Sequence, residues 1–265
     1  VPSGPVDRQE IEARMVVAWQ TFLSGAVDHA IDLGRGAVAV SDRGDDMQLR
    51  ITTRLFLAAM LSIAVRGWDE SATAATEALH LTEGIDLPFE EATARGILGG
   101  IDLMRADYRS ARQHTSRGAT RCEEPATLAM NLTFLAAVEA DVGELTQAVA
   151  HTSRAIALAE STDDPIRISY AHAYAGHALL LMGDPAAARP HVERAMEASA
   201  SMSVFNPWPT AMLAEIEVSE GRLDAALGLA GRAAAVAAAT GVAYQRALAM
   251  RATALVASAR GDDRS

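Results

Sequence analysis

Lysine is absent from this 265-residue chain; all 23 basic side chains other than histidine are arginines. The absence has chemical force, because a phosphate-binding G-x-x-x-x-G-K-[ST] loop and Schiff-base or pyridoxal chemistry all require a lysine amine. Cysteine is nearly absent too. Cys122 stands alone and cannot make an internal disulfide, and its acidic neighbours in "RCEEP" argue against a catalytic thiolate. Positive charge is scarce: the net charge of −11 leaves no cationic excess to displace counterions from nucleic-acid phosphates and repels anionic membranes. Neither nucleic acid nor membrane is an expected partner. No apolar run approaches the roughly 18 residues of a membrane span, and no charged-then-apolar signal segment opens the chain, so cytoplasm is the expected compartment. Aromatics make up only 5% of the residues, which makes the position of each one informative.

What is present is a repeat. "GDPAAARPHVERAMEA" at Gly183 has relatives at Gly221 ("GRLDAALGLAGRAAAV"), Gly143 ("GELTQAVAHTSRAIAL"), Gly67 ("GWDESATAATEALHL") and Gly25 ("GAVDHAIDLGRGAVAV"). Aligned turns fall at Gly25, Gly67, Ala106, Gly143, Gly183, Gly221 and Gly261, a period of about 40. Five residues after the first six stand Ala30, Ala72, Ala111, Ala148, Ala188 and Ala226. Seven further on stand Ala37, Leu79, Gly118, Ala155, Ala195 and Ala233. Seven before the turns stand Ala18, Met60, Gly99, Ala136, Gly176, Ala214 and Ala254. Seven residues is close to two helical turns, so these small side chains line facing stripes where two helices approach closely. A helix pair cannot bury its apolar face alone, so pairs of this kind stack into a solenoid. Connectors such as "SDRGDD", "CEEPAT", "STDDPIR" and "FNPWPT" punctuate the helices; in "GDPAAA", Asp184 can cap and Pro185 suits a first turn, whereas Pro190 should kink the helix.

Small residues flanking a Gly turn resemble the tetratricopeptide repeat (TPR), from about residue 12 to the end, with a period longer than that family's usual 34. Long, degenerate repeats in an Ala/Arg-rich chain further resemble the sensor arm of bacterial LuxR-type and MalT-like ATPase transcriptional regulators. The resemblance implies an all-α, right-handed solenoid of about six and a half helical pairs over residues 1–265. It also implies a non-catalytic sensor domain holding a small molecule, peptide or protein segment in its concave groove, with no cofactor. The alternative is a constitutive protein-interaction scaffold. Because the chain begins with Val and only "DDRS" follows the seventh turn, it is expected to be a fragment of a longer protein. The resemblance then implies a nucleotide-binding module upstream and a helix-turn-helix module downstream, and the open C-terminal helix invites self-association.

If that family's groove register is carried onto this chain, ligand-facing positions fall 13, 10, 6, 3 and 2 residues before each turn. The candidate ligand-binding residues are Trp19, Arg54, Met130, Thr133, Tyr170, His177, Trp208, Glu215 and Arg251, with Phe22, Leu57 and Leu61 at a more apolar end. Aromatics with polar neighbours on successive pairs suit a ligand held by stacking and hydrogen bonds. Other motifs do not carry chemistry. "GRGAVA" at Gly34 satisfies G-x-G-x-x-A but is expected mid-helix rather than after a strand. His172 and His177 are five apart, roughly 140° around a helix, and cannot share a metal. The acidic pairs Glu90/Glu91, Glu123/Glu124 and Asp163/Asp164 fall in connectors, where capping and solvation account for them, and no nucleophile, base and orienter can be assembled from spacing.

Overall fold

The computed structural model describes residues 8–65 and 67–261. The expectations resting on Val1 and on the terminal "DDRS" lie outside the described residues. These residues form thirteen α-helices and no strand: α1 (Arg8–Leu23), α2 (Val27–Ser41), α3 (Met47–Ala64), α4 (Trp68–Leu81), α5 (Pro88–Met104), α6 (Tyr108–Arg121), α7 (Pro125–Asp141), α8 (Leu145–Glu160), α9 (Pro165–Leu181), α10 (Pro185–Ala198), α11 (Pro207–Ser219), α12 (Leu223–Thr240) and α13 (Ala243–Arg260). Each odd helix pairs with the even helix that follows, and successive odd helices also touch one another, so the odd helices form one wall and the even helices a second layer.

The helices begin where capping chemistry places them. Asp46, Asp107, Glu124, Asp164 and Asp184 each accept hydrogen bonds from backbone N–H groups of the first turn they precede, and proline opens α5, α7, α9, α10 and α11. Pro190 sits inside α10, which runs on to Ala198. α12 is long and apolar enough, by length and composition alone, to cross a membrane, but its Ala226, Leu229, Ala230, Ala233 and Ala237 are buried in the solenoid core.

The small-residue stripes are the helix contacts. Ala18, Ala136 and Ala214 are buried against their partner helices. A Cβ on Gly99 would lie 2.4 Å from the Thr115 methyl, and one on Gly176 would lie 2.5 Å from Val192, so glycine is what lets these pairs close. Ala254, at the same repeat position on α13, is exposed, because no later helix covers that face among the described residues.

One unit departs from the expected register. α3 ends at Ala64 with Val65 in the left-handed region and α4 begins directly after Gly67, so in this three-residue turn the glycine stands last rather than in the middle, and the positive φ falls on its two outer residues. The small positions there are consequently Ala58, Ser71 and Ala78, all fully buried, rather than Met60, Ala72 and Leu79. Ser71 Oγ donates to the Ala58 carbonyl at 2.7 Å, so the contact is close enough for a backbone hydrogen bond.

The superhelix closes on itself. The α10–α11 connector is the longest, and its Met202, Val204 and Phe205 turn inward to bury against Phe22, Val27, Ile31 and Leu61 of the first two pairs. Ser203 N–H donates to the Leu23 carbonyl at 3.1 Å, and Gly25 comes so close to Thr240 that an added Cβ would lie 3.2 Å from its methyl. Burial of Phe22, Val204 and Phe205 contributes roughly 1.5–3 kcal/mol each to this seam. A groove expected to be open is therefore a central cavity walled by the odd helices.

Candidate functional site

The cavity has a volume of about 270 Å³. One side of its wall, from α3 and α5, is aliphatic: Ala59, Ile63, Ile97, Gly100, Ile101 and Met104. The rest of the wall is largely aromatic. Trp19, Trp68, Phe134, Tyr170, Tyr174, Phe205, Trp208 and Tyr244 line the cavity, eight of the twelve aromatic residues in a chain with three Trp, four Tyr and five Phe. They are held by packing on one another: Tyr170 and Tyr174, one turn apart on α9, stack at 6.1 Å, Tyr174 meets Trp208 edge-on at 4.7 Å, and Tyr170 meets Phe205 at 5.4 Å. Edge-to-face geometry of this kind fixes the rings beyond what burial alone would do.

Polar groups in the wall are few and incompletely satisfied. Trp68 Nε1, Thr93 Oγ1, Arg167 Nε and Gln245 Oε1 are buried without a hydrogen-bond partner. The Gln245 amide nitrogen donates to the Val204 carbonyl, which fixes its oxygen as the free acceptor. Asp164 caps α9 and lies 3.8 Å from Arg167 Nε at the cavity edge. The hydroxyls of Tyr170, Tyr174 and Tyr244 make no hydrogen bond among the described residues, and burial pushes all three phenols above their ordinary pKa, so they are neutral donors.

The structure brings together only part of the residue set expected from sequence. Trp19, Met130, Tyr170 and Trp208 line the cavity, and Thr133 lines a small adjoining one with Met130 and Tyr170. Arg54 does not. It lies on the far side of α3, only 8% exposed, pairing with Asp42 at 2.7 and 3.0 Å and with Glu77 at 2.9 Å, where it ties α2, α3 and α4 together. The shifted turn explains the displacement: counted from Val65 instead of Gly67, the inward positions are Ala59, Ser62 and Ile63, while Leu57 and Leu61 become core. His177 stands beyond the cavity, 6.4 Å from Trp208 and 3.9 Å from Asp141, with its pKa lowered by burial. Glu215 and Arg251 form an ion pair at 2.6 Å that bridges α11 and α13 outside the cavity.

Residues missed by the register include Phe134 and Tyr174, each four residues after a position that was found, and Ile97, four after Thr93, which the register places 13 before the Ala106 turn, so helical periodicity alone pointed to them. Phe205, Tyr244 and Gln245 carried no such signal, since only closure of the superhelix brings them inward. The histidines make structural contacts: His172 Nδ1 lies 3.0 Å from His191 Nδ1 and its Nε2 lies 3.2 Å from Glu160, which Arg194 also holds. Among the described residues no three His, Cys, Asp or Glu side chains converge as metal ligands. "GRGAVA" lies inside α2, where a Cβ on Gly34 would lie 2.5 Å from Met60, so that glycine serves helix packing.

The family model of the MalT-like TPR region matches residues 52–265. No curated protein matches the chain. Among solved structures, a Rap protein complexed with competence and sporulation factor superposes with a TM-score of 0.61 at 13% identity, covering 96% of this chain and 89% of that one. A thermophilic TPR protein of Thermus thermophilus superposes at 0.54 and 21% identity, covering 78% of this chain and 98% of that one. The APC/C hetero-tetramer Cut9-Hcn1 superposes at 0.62 and 14% identity over 93% of this chain, which spans only 44% of that one. At these identities the likeness is one of fold.

Proposed function

The chain belongs to the MalT-like TPR region family, and on that footing we propose that it is a non-catalytic, cytoplasmic sensor domain of a bacterial signalling or transcriptional regulator, receiving a ligand in its central cavity. The observation that carries the reading is the gathering of eight of twelve aromatic side chains around one central cavity in a chain otherwise poor in aromatics. A solenoid serving only as a scaffold has no use for that concentration inside. The seam supplies a means of signalling: the cavity wall includes residues from α1, the α10–α11 connector and α13, so an occupant that touches all three favours the closed form by its differential contacts.

A scaffold reading has its own observation. Val142, Leu145 and Val149 near one turn and Leu181 and Met182 near the next are exposed apolar side chains on adjacent repeats, a feature suited to protein docking. Thermal melting of the chain against a library of small metabolites and short peptides separates the two. A ligand that binds only the native state raises the melting temperature by mass action. A sensor gives hits that disappear when the cavity is filled by Ala59→Phe. If every hit survives that substitution, the cavity is not the receiving site and the scaffold reading stands.

A further inference from the structure

The cavity wall is uneven: mainly aliphatic along α3 and α5, where Ser62 and Thr93 interrupt it and Trp19 and Trp68 flank it, and aromatic along α7, α9, α11 and α13. Its polar groups without a hydrogen-bond partner are the three phenols, the oxygen of Gln245, which is 6% exposed, Trp68 Nε1, Thr93 Oγ1 and, at the edge, Arg167 Nε. Resting on the cavity reading above, we propose that the occupant is a flat aromatic molecule of one to three fused rings carrying one or two oxygen substituents. Its rings lie between the aromatic faces and the aliphatic side, and its oxygens meet the tyrosine hydroxyls and Arg167.

Three features of the wall select this class. A carbohydrate presents hydroxyls all around its ring, and on the side of Ile63, Ile97, Ile101 and Met104 only Ser62 and Thr93 could bond them, so most would be stripped of water without a partner. A peptide carries backbone N–H and C=O groups that meet the same difficulty, and about 270 Å³ falls just below the range of roughly 300–1,000 Å³ common for drug-sized ligands. An organic cation would find rings to face, but Asp164, the carboxylate of this wall, is already opposed by Arg167 at 3.8 Å, and the Arg167 guanidinium favours an oxygen acceptor instead.

Calorimetric titration of the full chain with 2-naphthol and 2-naphthoate, beside the trisaccharide raffinose and a Gly-Ser hexapeptide, tests the assignment. Saturable binding of a naphthalene compound is expected, with raffinose and the hexapeptide silent. Tyr170→Phe, which removes one oxygen and keeps the ring, is expected to weaken 2-naphthol about tenfold, the value of one hydrogen bond. Its melting temperature should be unchanged, since that oxygen has no protein partner. Arg167→Gln is expected to weaken 2-naphthoate more than 2-naphthol. Failure of both naphthalene compounds to bind at about 1 mM overturns the aromatic class; if raffinose or the hexapeptide binds instead, and loses binding in Ala59→Phe, the cavity reading survives that failure. Naphthalene binding that is unaffected by Ala59→Phe, Tyr170→Phe and Arg167→Gln overturns both.

Discussion

Replacing Gly118 by alanine should destabilise this protein, although alanine is the better helix former. Gly118 lies in the interior of α6 and faces Asn131 of α7, which is fully buried and donates from Nδ2 to the carbonyls of Ala92 at 3.1 Å and Thr127 at 3.0 Å. A Cβ at 118 would lie 2.0 Å from Asn131 Oδ1 and 2.6 Å from its Cγ, so the amide must leave its place. Displacement sacrifices two hydrogen bonds worth about 0.5–1.5 kcal/mol each and leaves a buried amide to be satisfied elsewhere, a further cost of about 1–3 kcal/mol. Against this stands a helix-propensity gain of about 1 kcal/mol. The balance is a net loss of roughly 1–5 kcal/mol.

Two other helix glycines serve as controls with the opposite sign. Gly36 in α2 and Gly231 in α12 would meet nothing within 4 Å on gaining a Cβ, so Gly36→Ala and Gly231→Ala should each stabilise by roughly 0.5–1 kcal/mol. Urea unfolding of the three variants reads the difference as shifts in midpoint at constant slope. Adding Asn131→Ala to Gly118→Ala should cost less than the sum of the two single changes, since the contact and the displaced amide are the same event. A Gly118→Ala variant as stable as the Gly36→Ala one refutes the packing argument for the α6–α7 contact.

Ala148→Leu and Ala188→Leu should each cost about 1–3 kcal/mol by overpacking, since both alanines are buried at helix contacts. Ala254→Leu, at the exposed end of the repeat, should stay within about 0.5 kcal/mol of the parent; equal effects at all three positions would contradict the stacking register, and thermal melting reads them. Arg54→Ala should lower stability by roughly 1–3 kcal/mol, discounted from the cost of breaking a fully buried pair because Asp42 and Glu77 are partly solvated, while leaving cavity binding intact in the calorimeter. The pH dependence has a defined sign: burial, with His191 adding to it at His172, holds both imidazoles below their ordinary pKa. Their stabilising contribution is complete above about pH 6.5 and is lost as pH falls through that value toward the depressed one. The melting temperature should fall between about pH 7.5 and 5.5, and less so in His191→Asn; an identical slope in that variant would remove the pair from the account.

The repeat was legible because each unit is a local solution. A turn glycine, an alanine five residues on and another seven beyond lie within one helix pair, and close helix approach demands small side chains at those spacings wherever the pair sits. The one misplacement shows what local reading depends on. Gly67 has the look of every other turn glycine and does adopt a positive φ, yet Val65 does as well, and a β-branched residue in that region is not anticipated by any propensity. Two positions of slippage on a helix rotate a side chain by about 200°, which is why Arg54, expected to face the groove, lies instead among carboxylates on the opposite side of α3.

The cavity itself is not local. Leu23 with Ser203, and Gly25 with Thr240, join parts separated by more than two thirds of the chain, and no period of about 40 residues encodes whether a superhelix stays open or meets itself. Signals did exist in the connector, where Met202, Val204 and Phe205 form a hydrophobic group in a stretch otherwise read as punctuation. Connectors that stay at the surface have little reason to carry such residues. Closure also changes what an inward aromatic means: on an open groove Tyr170 would be half-solvated and its hydroxyl would bond water, whereas here it is enclosed with an unpartnered hydroxyl beside other rings, a position that favours an occupant able to bring both a flat face and a hydrogen-bonding oxygen.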